Sequence, residues 1–380
     1  MGLIKSALFG LLLVIAACVL LFWAEGRAVK TARALEEGSG LVVSVDAGSI
    51  DPANEGQLVH ISGSVVPQGT PADERLGIAA DGAVTLARQV EMYQWKELSR
   101  EVERTGSDGK KTKQTVYDYE KVWSNSEIDS NKFKMASAPK NPAMPLPGDS
   151  FRVAEVKIGS FRLSGKSVSS LATSSALKLS DDGTAGIATA VGAGAPVWLI
   201  GNQYVVSNDP DKPEIGDIRI GYVRGDLDRA SVAGAQKGDQ LVPYVTSNGR
   251  EIFLTQRGNA TADEMFKDAI ANNKVLTWVI RIGGLLLMLF GFSLSFSPLT
   301  GTLGQIPVVG GLVRGGAFLF GLAMTLALGS IVIAAGWIFY RPLLALAIAA
   351  IGIGVAFATG LIGNRRATTT PKSPATAPPA

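Results

Sequence analysis

Residues 6–24 read SALFGLLLVIAACVLLFWA, a stretch of nineteen residues without a charged side chain between Lys5 and Glu25. A helix needs about 20 predominantly apolar residues to cross about 30 Å of hydrocarbon. The stretch therefore predicts a transmembrane helix over residues 1–25. The alternative is a cleaved lipoprotein signal with Cys18 as the lipid acceptor. Because the apolar run continues beyond Cys18 as far as Trp23, the uncleaved helix is the preferred interpretation.

A second apolar region, residues 275–364, contains only three charged side chains, those of Arg281, Arg314 and Arg341. These charges, with a Pro- and Gly-containing break at residues 297–301, predict three transmembrane helices over residues 282–296, 315–340 and 343–363. Glycines recur along the region, and small residues let helices pack closely in membranes. We expect close helix packing at Gly311, Gly315, Gly321, Gly329, Gly336, Gly352, Gly354 and Gly360.

The last residues, 365–380, carry Arg365, Arg366 and Lys372 in a segment rich in Pro, Thr and Ala. This composition predicts a disordered tail, and the positive-inside rule places it in the cytoplasm. With four spans in all, residues 26–274 then lie on the extracytoplasmic side. No acidic residue falls in the middle of a predicted span, which argues against a channel or transporter acting alone.

The chain has a formal net charge of +3, one cysteine and one histidine, His60. We do not expect nucleic-acid binding, because it requires a concentrated basic surface and this net charge is small. The alternating segment around His60 predicts a structural histidine on a strand. Neither a phosphate-binding loop, a dinucleotide fingerprint nor a zinc-protease motif occurs, so we expect no catalytic residue, no cofactor and no metal site.

In the middle region apolar and polar residues alternate with a period of two, which predicts a mainly β domain. Its clearest signal is a hairpin formed by residues 90–104 and 112–123, because Asp-Gly in the intervening segment favours a tight turn. Aromatic side chains alternate along both strands, which is typical of sheet packing and also of binding surfaces. The candidate partner surface comprises Tyr93, Trp95, Tyr117, Tyr119 and Trp123.

Further elements are predicted around this hairpin. A short amphipathic helix is expected over residues 26–37, closed by Gly38, and a loop over residues 185–196. Thr261 and Glu264 have the spacing of a capping box, which predicts the start of a helix that leads to the second span. Strands are expected over residues 41–45, 57–66, 152–164, 197–200, 204–207, 217–224, 241–246 and 252–256.

Seven segments, spread in order over nearly the whole chain, resemble those of the transmembrane protein 43 family, also called LUMA. The most distinctive is AAGWIFYRP at residues 334–342. The others are EGRA at 25–28, NEG at 54–56, LVHI at 58–61, VEMYQW at 90–95, PEIGD at 213–217 and KGDQLVP at 237–243. The resemblance implies the same architecture, with one helix, a large lumenal domain and three further helices.

Resemblance to the animal members of that family implies that the protein resides in the endoplasmic reticulum and inner nuclear membrane, binds lamins and emerin, and helps to organise membrane protein complexes. The short N-terminus before residue 6 and the Pro/Thr/Ala tail depart from the animal pattern, and the Ala- and Gly-rich composition predicts a bacterial member in the inner membrane. A lamin-related role would then not apply.

The sequence thus predicts an α+β membrane protein with one N-terminal and three C-terminal transmembrane helices around a mainly β extracytoplasmic domain. The expected function is that of a non-enzymatic multi-pass scaffold, whose partners are membrane lipids and other membrane proteins, with a homo-oligomer as an open alternative. A lipid- or envelope-modifying enzyme and an accessory subunit of a channel are the rival hypotheses. Three residues near the last turn, Trp337, Tyr340 and Arg341, are expected at the membrane interface, where Trp, Tyr and Arg suit a partly wet environment.

Overall fold

The computed structural model describes residues 3–105, 111–192, 194–303 and 309–340. The chain divides into two compact units. The first contains residues 1–40 and the region from residue 266 onward, with the short segment 245–250, and its described part is mainly helical. The second contains residues 41–244 and 251–265 and is mainly β. In chain order the described helices are α1 (Leu3–Leu41), α2 (Gly165–Val168), α3 (Thr184–Val191), α4 (Ala262–Ser295), α5 (Ser297–Leu303) and α6 (Val309–Tyr340).

Three of the described helices are long and apolar enough to span a membrane, within Ile4–Leu41, Ala262–Ser295 and Gly310–Tyr340. The predicted N-terminal span and two of the predicted C-terminal spans are thereby confirmed. The predicted third C-terminal span, residues 343–363, and the predicted tail lie outside the described residues. The predicted break after residue 296 is the short helix α5.

Helix α1 continues without interruption through residues 26–37, so the predicted separate helix closed by Gly38 is wrong. Ala, Arg, Lys and Glu dominate this stretch, and their high helix propensity outweighs single glycines. As a result the predicted strand 41–45 shrinks to two residues, Val43–Ser44.

The helices of the first unit approach each other most closely at glycines. A Cβ atom on Gly10 would lie 2.5 Å from the carbonyl oxygen of Gly291, and one on Gly329 would lie 2.4 Å from Leu285 Cδ2. Val14, Ala17, Leu21 and Met288 form the buried apolar contact between α1 and α4. The predicted close packing is found at Gly329 and Gly336. At Gly311 and Gly315 no described atom lies within 4 Å of an added Cβ, so close packing at these two glycines is not found within the described part of the chain.

The strands of the second unit belong to two larger sheets and two small hairpins. In chain order the described strands are β1 (Val43–Ser44), β2 (Leu58–Gln68), β3 (Ala72–Asp73), β4 (Ile78–Ala79), β5 (Thr85–Thr105), β6 (Lys111–Ser124), β7 (Asp149–Arg152), β8 (Glu155–Ile158), β9 (Phe161–Ser164), β10 (Thr173–Ala176), β11 (Val197–Ile200), β12 (Gln203–Val206), β13 (Ile218–Asp226), β14 (Arg229–Lys237), β15 (Gln240–Val242), β16 (Tyr244–Val245), β17 (Glu251–Ile252) and β18 (Leu254–Arg257).

One sheet follows the order β1-β2-β8-β9-β15-β14-β18, and an additional pairing of β2 with β14 closes β2, β8, β9, β15 and β14 into a ring. The parallel contact between β9 and β15 is reinforced by Arg162, which donates to both oxygens of Asp239 at 2.7 and 2.9 Å. Val59, Ile61, Val156, Phe161 and Val232 are among the buried side chains of this core. Closure removes most of the exposed strand edges that sheets otherwise present.

The other sheet follows the order β11-β12-β13-β5-β6, with β10 paired to β13 and β7 paired to β5. Its core contains Leu86, Met92, Ile218 and Ile220 from the strands and Ile187 from α3. Two antiparallel strands at the edge of this sheet, β5 and β6, form the predicted hairpin, which is confirmed. Its turn, residues 106–110, lies outside the described residues.

Several strand predictions are refined by the structure. The predicted strand 152–164 is divided between β7, β8 and β9. The division between β8 and β9 is at Gly159, which adopts a positive φ of 60° and starts a tight turn where a Cβ would lie 2.1 Å from the Ala47 carbonyl oxygen. The predicted loop 185–196 is wrong in its first part, which forms α3. The predicted strands 241–246 and 252–256 are each divided in two, and β14 was not predicted at all.

Candidate functional site

The hairpin extends beyond the sheet that carries it. Strand β5 pairs with β13 from Thr85 to Met92, and from Met92 to Thr105 it pairs with β6. Residues 93–105 and 111–123 therefore form a two-stranded arm, about 40 Å long at 3.4 Å per residue. Two-stranded hairpins in water are marginally stable by themselves. An arm of this length therefore needs support from other parts of the chain or from a partner.

All five predicted aromatic residues lie on one face of the arm. The register places Tyr93 opposite Trp123, and their ring centroids are 5.1 Å apart. Trp95 lies opposite Lys121, whose ammonium nitrogen is 5.2 Å from the indole centroid. Tyr117 and Tyr119 follow at alternate positions along β6, so their side chains project to the same side. This set of five residues is called the aromatic face below.

The base of the aromatic face is held by the segment that follows β6. The side chain of Asn141 accepts a hydrogen bond from the backbone N–H of Trp95 at 2.7 Å and donates one to the Trp95 carbonyl oxygen at 2.9 Å. The ring of Phe133 lies 5.5 Å from that of Tyr119. The Tyr119 hydroxyl donates to Glu97 at 3.0 Å, and burial together with that carboxylate raises the pKa of Tyr119. The base is therefore packed, whereas residues 99–101 and 112–115 are exposed.

Ion pairs cover the opposite face of the arm. Lys96 pairs with Glu120 at 3.3 Å and Arg100 with Asp118 at 2.9 Å. Their side chains are between 43 and 66 % exposed, so these pairs lie in water. The arm thus has an aromatic face and a charged face near its base, whereas Lys113 and Glu101 form a further ion pair, at 3.2 Å, on the outer part of the aromatic side.

The helical unit contains a second concentration of polar groups, at the end of the apolar stretches. Glu25 on α1 is only 2 % exposed and accepts two hydrogen bonds from Arg281 on α4, at 2.6 and 2.8 Å. The indole N–H of Trp337 on α6 donates to the same carboxylate at 3.0 Å. A Cβ on Gly336 would lie 2.9 Å from Glu25 Cβ, so the glycine lets α6 approach the ion pair. We call Glu25, Arg281 and Trp337 the helix-end cluster.

Polar contacts continue from the helix-end cluster along α1 and α4. Arg27 donates to the Thr277 hydroxyl at 3.2 Å, and that hydroxyl donates to the Asn273 carbonyl oxygen at 2.6 Å. The side-chain amide of Asn273 donates to the Ala28 carbonyl oxygen at 3.1 Å. Charged and amide groups therefore connect the two helices for about two turns beyond the apolar stretches.

Two of the three residues predicted at the membrane interface, Trp337 and Tyr340, are in the described part of the chain. Trp337 is half-buried and bound to Glu25, and Tyr340 is half-buried with its ring 5.6 Å from that of Phe22. The carbonyl oxygen of Tyr340 accepts a hydrogen bond from Arg33 at 2.9 Å. Arg341 lies outside the described residues. The position of all three at the membrane interface stays a prediction.

Two buried polar sites in the β unit are explained by their structural contacts. Asp73 receives hydrogen bonds from Arg88 and from the Tyr222 hydroxyl, and all three residues are at most 5 % exposed. Burial and the neighbouring Asp73 carboxylate raise the pKa of Tyr222 well above its usual range. His60 contacts the Ser44 hydroxyl at 3.2 Å and the Ala260 carbonyl oxygen at 2.9 Å, and burial lowers its pKa.

Sequence reasoning identified the aromatic face but missed the helix-end cluster. The sequence shows Glu25 and Arg281 only as charges flanking apolar runs, and the two residues are 256 positions apart along the chain. The available signal was their matched position, since each ends an apolar stretch and two antiparallel spans bring such ends to the same depth. Among the described residues, no group of three or more His, Cys, Asp or Glu side chains is arranged to hold a metal ion.

Comparison with known proteins gives a consistent result. The family model described as Transmembrane protein 43 matches residues 92–342. Transmembrane protein 43 from Homo sapiens is 34% identical over 356 residues, covering 90% of this chain and 86% of the human one, and the Mus musculus protein is 34% identical over 346 residues. A homolog from Drosophila melanogaster is 30% identical over 365 residues, 89% of each chain. No solved structure matches. These relatives are animal proteins, and the bacterial origin of this chain stays a prediction.

Proposed function

Because this chain belongs to the transmembrane protein 43 family of membrane proteins, we propose that it is a non-enzymatic scaffold that organises other membrane proteins. The helical unit anchors the chain in the bilayer, and the aromatic face of the arm recruits the partner. The compartment in this proposal is the endoplasmic reticulum or inner nuclear membrane in a eukaryotic cell and the inner membrane in a bacterium.

The observation that carries the proposal is the arm itself. Tyr and Trp are enriched at protein interfaces and dominate their binding energy, because they bury a large area at a small cost in conformational entropy. The aromatic face offers three Tyr and two Trp side chains on a ribbon that projects beyond its sheet. Binding on that face would also support the exposed outer part of the ribbon, residues 99–101 and 112–115, which the segment after β6 does not pack against.

The scaffold role is also supported by the buried ionisable groups, which form hydrogen bonds within the chain. Asp73 is engaged by Arg88 and Tyr222, His60 by Ser44 and Ala260, and Glu25 by Arg281 and Trp337. Each group has a hydrogen-bond partner within the chain, so a structural role accounts for its burial. General acid or base catalysis requires such a group to face a substrate.

Photocrosslinking in native membranes tests the proposal. A photoreactive phenylalanine analogue is placed at Tyr117 on the aromatic face, and in a matched variant at Leu98, which is 40 % exposed and lies on the opposite face of the same arm. We expect discrete crosslinked products from position 117 and none of the same size from position 98. Trp95→Ala, combined with the probe at 117, should reduce those products about tenfold or more, as expected for loss of an interface anchor.

The identity of the crosslinked product separates the alternatives. A different membrane protein supports the scaffold, and a product of twice the chain's mass makes the partner a second copy. Equal products from positions 117 and 98, or none from either, would refute recruitment through the aromatic face. A channel polypeptide as the product would favour the accessory-subunit hypothesis.

A further inference from the structure

A notch of about 240 Å³ lies beside the helix-end cluster, within the helical unit. It is lined by polar groups of α1 and α4, including Glu25, Asn273, Lys274 and Arg281, and by the indole rings of Trp278 and Trp337. The volume is several times the roughly 30 Å³ occupied by one water molecule in the liquid. The notch can therefore accommodate a group larger than a water molecule.

The notch contains a polar atom without a partner. The side-chain oxygen of Asn273 is buried and accepts no hydrogen bond from any described residue, although the amide nitrogen of the same side chain is bound to Ala28. The residue is 9 % exposed. A buried acceptor without a donor costs about 1–3 kcal/mol. Because this oxygen is buried, a ligand in the notch reaches it only if the lining side chains shift.

Charge in the notch favours an anion. The carboxylate of Glu25 is matched by Arg281, and both the Nε and one terminal nitrogen of the guanidinium are used in that pair. The ammonium group of Lys274 adds one positive charge to the lining, and this residue is exposed. A ligand of net charge −1 would therefore neutralise the notch.

An apolar stripe begins at the notch and follows α4. Trp278, Ile282, Leu286 and Phe290 recur every four residues, and each is between 54 and 60 % exposed. The last residue lies twelve positions after the first, a rise of about 18 Å of helix, close to the depth of one leaflet of a bilayer about 30 Å thick. The notch and the stripe together have the polarity of one phospholipid molecule.

We propose that the notch and stripe bind a single anionic glycerophospholipid, such as phosphatidylglycerol. Its phosphate lies against Lys274, and an acyl chain follows the stripe from Trp278 to Phe290. This site is independent of the arm and of any protein partner.

Native mass spectrometry of the full chain in detergent micelles, supplied with equimolar phosphatidylglycerol and phosphatidylcholine, tests the proposal. We expect bound phosphatidylglycerol to exceed phosphatidylcholine about fivefold, because one basic residue near an anionic headgroup is worth about a factor of five in affinity. Lys274→Gln should bring the ratio close to one. Lys267→Gln removes the same charge two helical turns away, outside the notch, and should leave the ratio unchanged.

Three results would overturn the proposal. The first is equal retention of the two lipids by the unmodified chain. The second is an equal effect of Lys274→Gln and Lys267→Gln, which would indicate a general charge effect. The third is displacement of the bound lipid by millimolar glycerol phosphate, which would assign the notch to a soluble phosphate compound, because such a compound lacks the chain that contacts the stripe.

Discussion

The helix-end cluster and the charged face of the arm contain the same chemistry in opposite surroundings. Each joins a basic side chain to a carboxylate at hydrogen-bond distance, at 2.6 Å for Arg281 and Glu25 and 3.3 Å for Lys96 and Glu120. The first pair is 15 and 2 % exposed, and the second is 50 and 43 % exposed. An exposed pair contributes about 0–1 kcal/mol, whereas removing one member of a buried pair costs about 3–5 kcal/mol. Burial, and not the short distance, therefore decides which pair the fold depends on.

The largest loss of stability is expected from Arg281→Met, because this change leaves the Glu25 carboxylate buried with only the Trp337 indole as a donor. We expect the free energy of unfolding to fall by about 3–5 kcal/mol, because the charge loses its partner. The measurement is thermal unfolding of the purified chain in detergent, together with its abundance in membranes.

Glu25→Gln combined with Arg281→Met provides the control for this prediction, because the neutral side chain still accepts the Trp337 hydrogen bond. The double variant should recover most of the lost stability. If Arg281→Met behaves like Lys96→Gln, the contrast between the two regions fails.

A second effect tests how tightly the helices around the buried pair are packed. Gly10→Ala places a Cβ 2.5 Å from the Gly291 carbonyl oxygen and 2.6 Å from the Ser295 nitrogen, and both are backbone atoms. Overpacking of this kind costs about 1–3 kcal/mol. Gly315→Ala is the matched control, since no described atom lies within 4 Å of its added Cβ. Equal unfolding temperatures for the two variants would contradict the close approach of α1 and α4.

The two regions also differ in how far the sequence predicts them. The arm is a local structure, and the alternation of its strands with Asp-Gly between them was enough to predict the hairpin and the shared face of the aromatic residues within each strand. The register of the two strands, which places all five aromatic residues on one face, comes from the structure. The pairing of Glu25 with Arg281 is non-local, and nothing near either residue specifies the partner. Apolar length predicted the spans in the described part of the chain, because backbone groups in a membrane must be satisfied within the helix.

Strand β14 shows a different limit of sequence reasoning. Its sequence, RASVAGAQK, is rich in Ala and Gly, which are depleted in strands, and it has no alternating pattern. Seven of its nine residues are nevertheless buried, because β14 pairs with β2 on one side and with β15 and β18 on the other. Gly234 is required there, since an added Cβ would lie 2.9 Å from the Phe253 ring and from the Val242 carbonyl oxygen. Tertiary packing selects small residues that local propensity disfavours.

His60 is intermediate between the buried helix-end cluster and the exposed ion pairs of the arm, because it is a buried titratable group bound only to uncharged groups. Burial lowers its pKa in the folded chain below the ordinary value of about 6.5. The folded state therefore favours the neutral ring, and stability is fully present above pH 6.5 and is lost as the pH falls below it. We expect the unfolding temperature to drop by a few degrees between pH 7.5 and 5.5. His60→Gln should remove most of this pH dependence, and an unchanged dependence would assign it to other groups.

The smallest effect is expected from Lys96→Gln on the charged face of the arm. Both members of its pair are about half exposed, so water solvates the remaining Glu120 carboxylate as well as the lysine did. The change in the free energy of unfolding should stay below about 0.5 kcal/mol, at the low end for exposed pairs. The same variant should retain the crosslinks formed from position 117, because Lys96 projects away from the aromatic face. A loss of more than about 2 kcal/mol would mean that the charged face is covered in the native protein, and the partner surface would then extend to both sides of the arm.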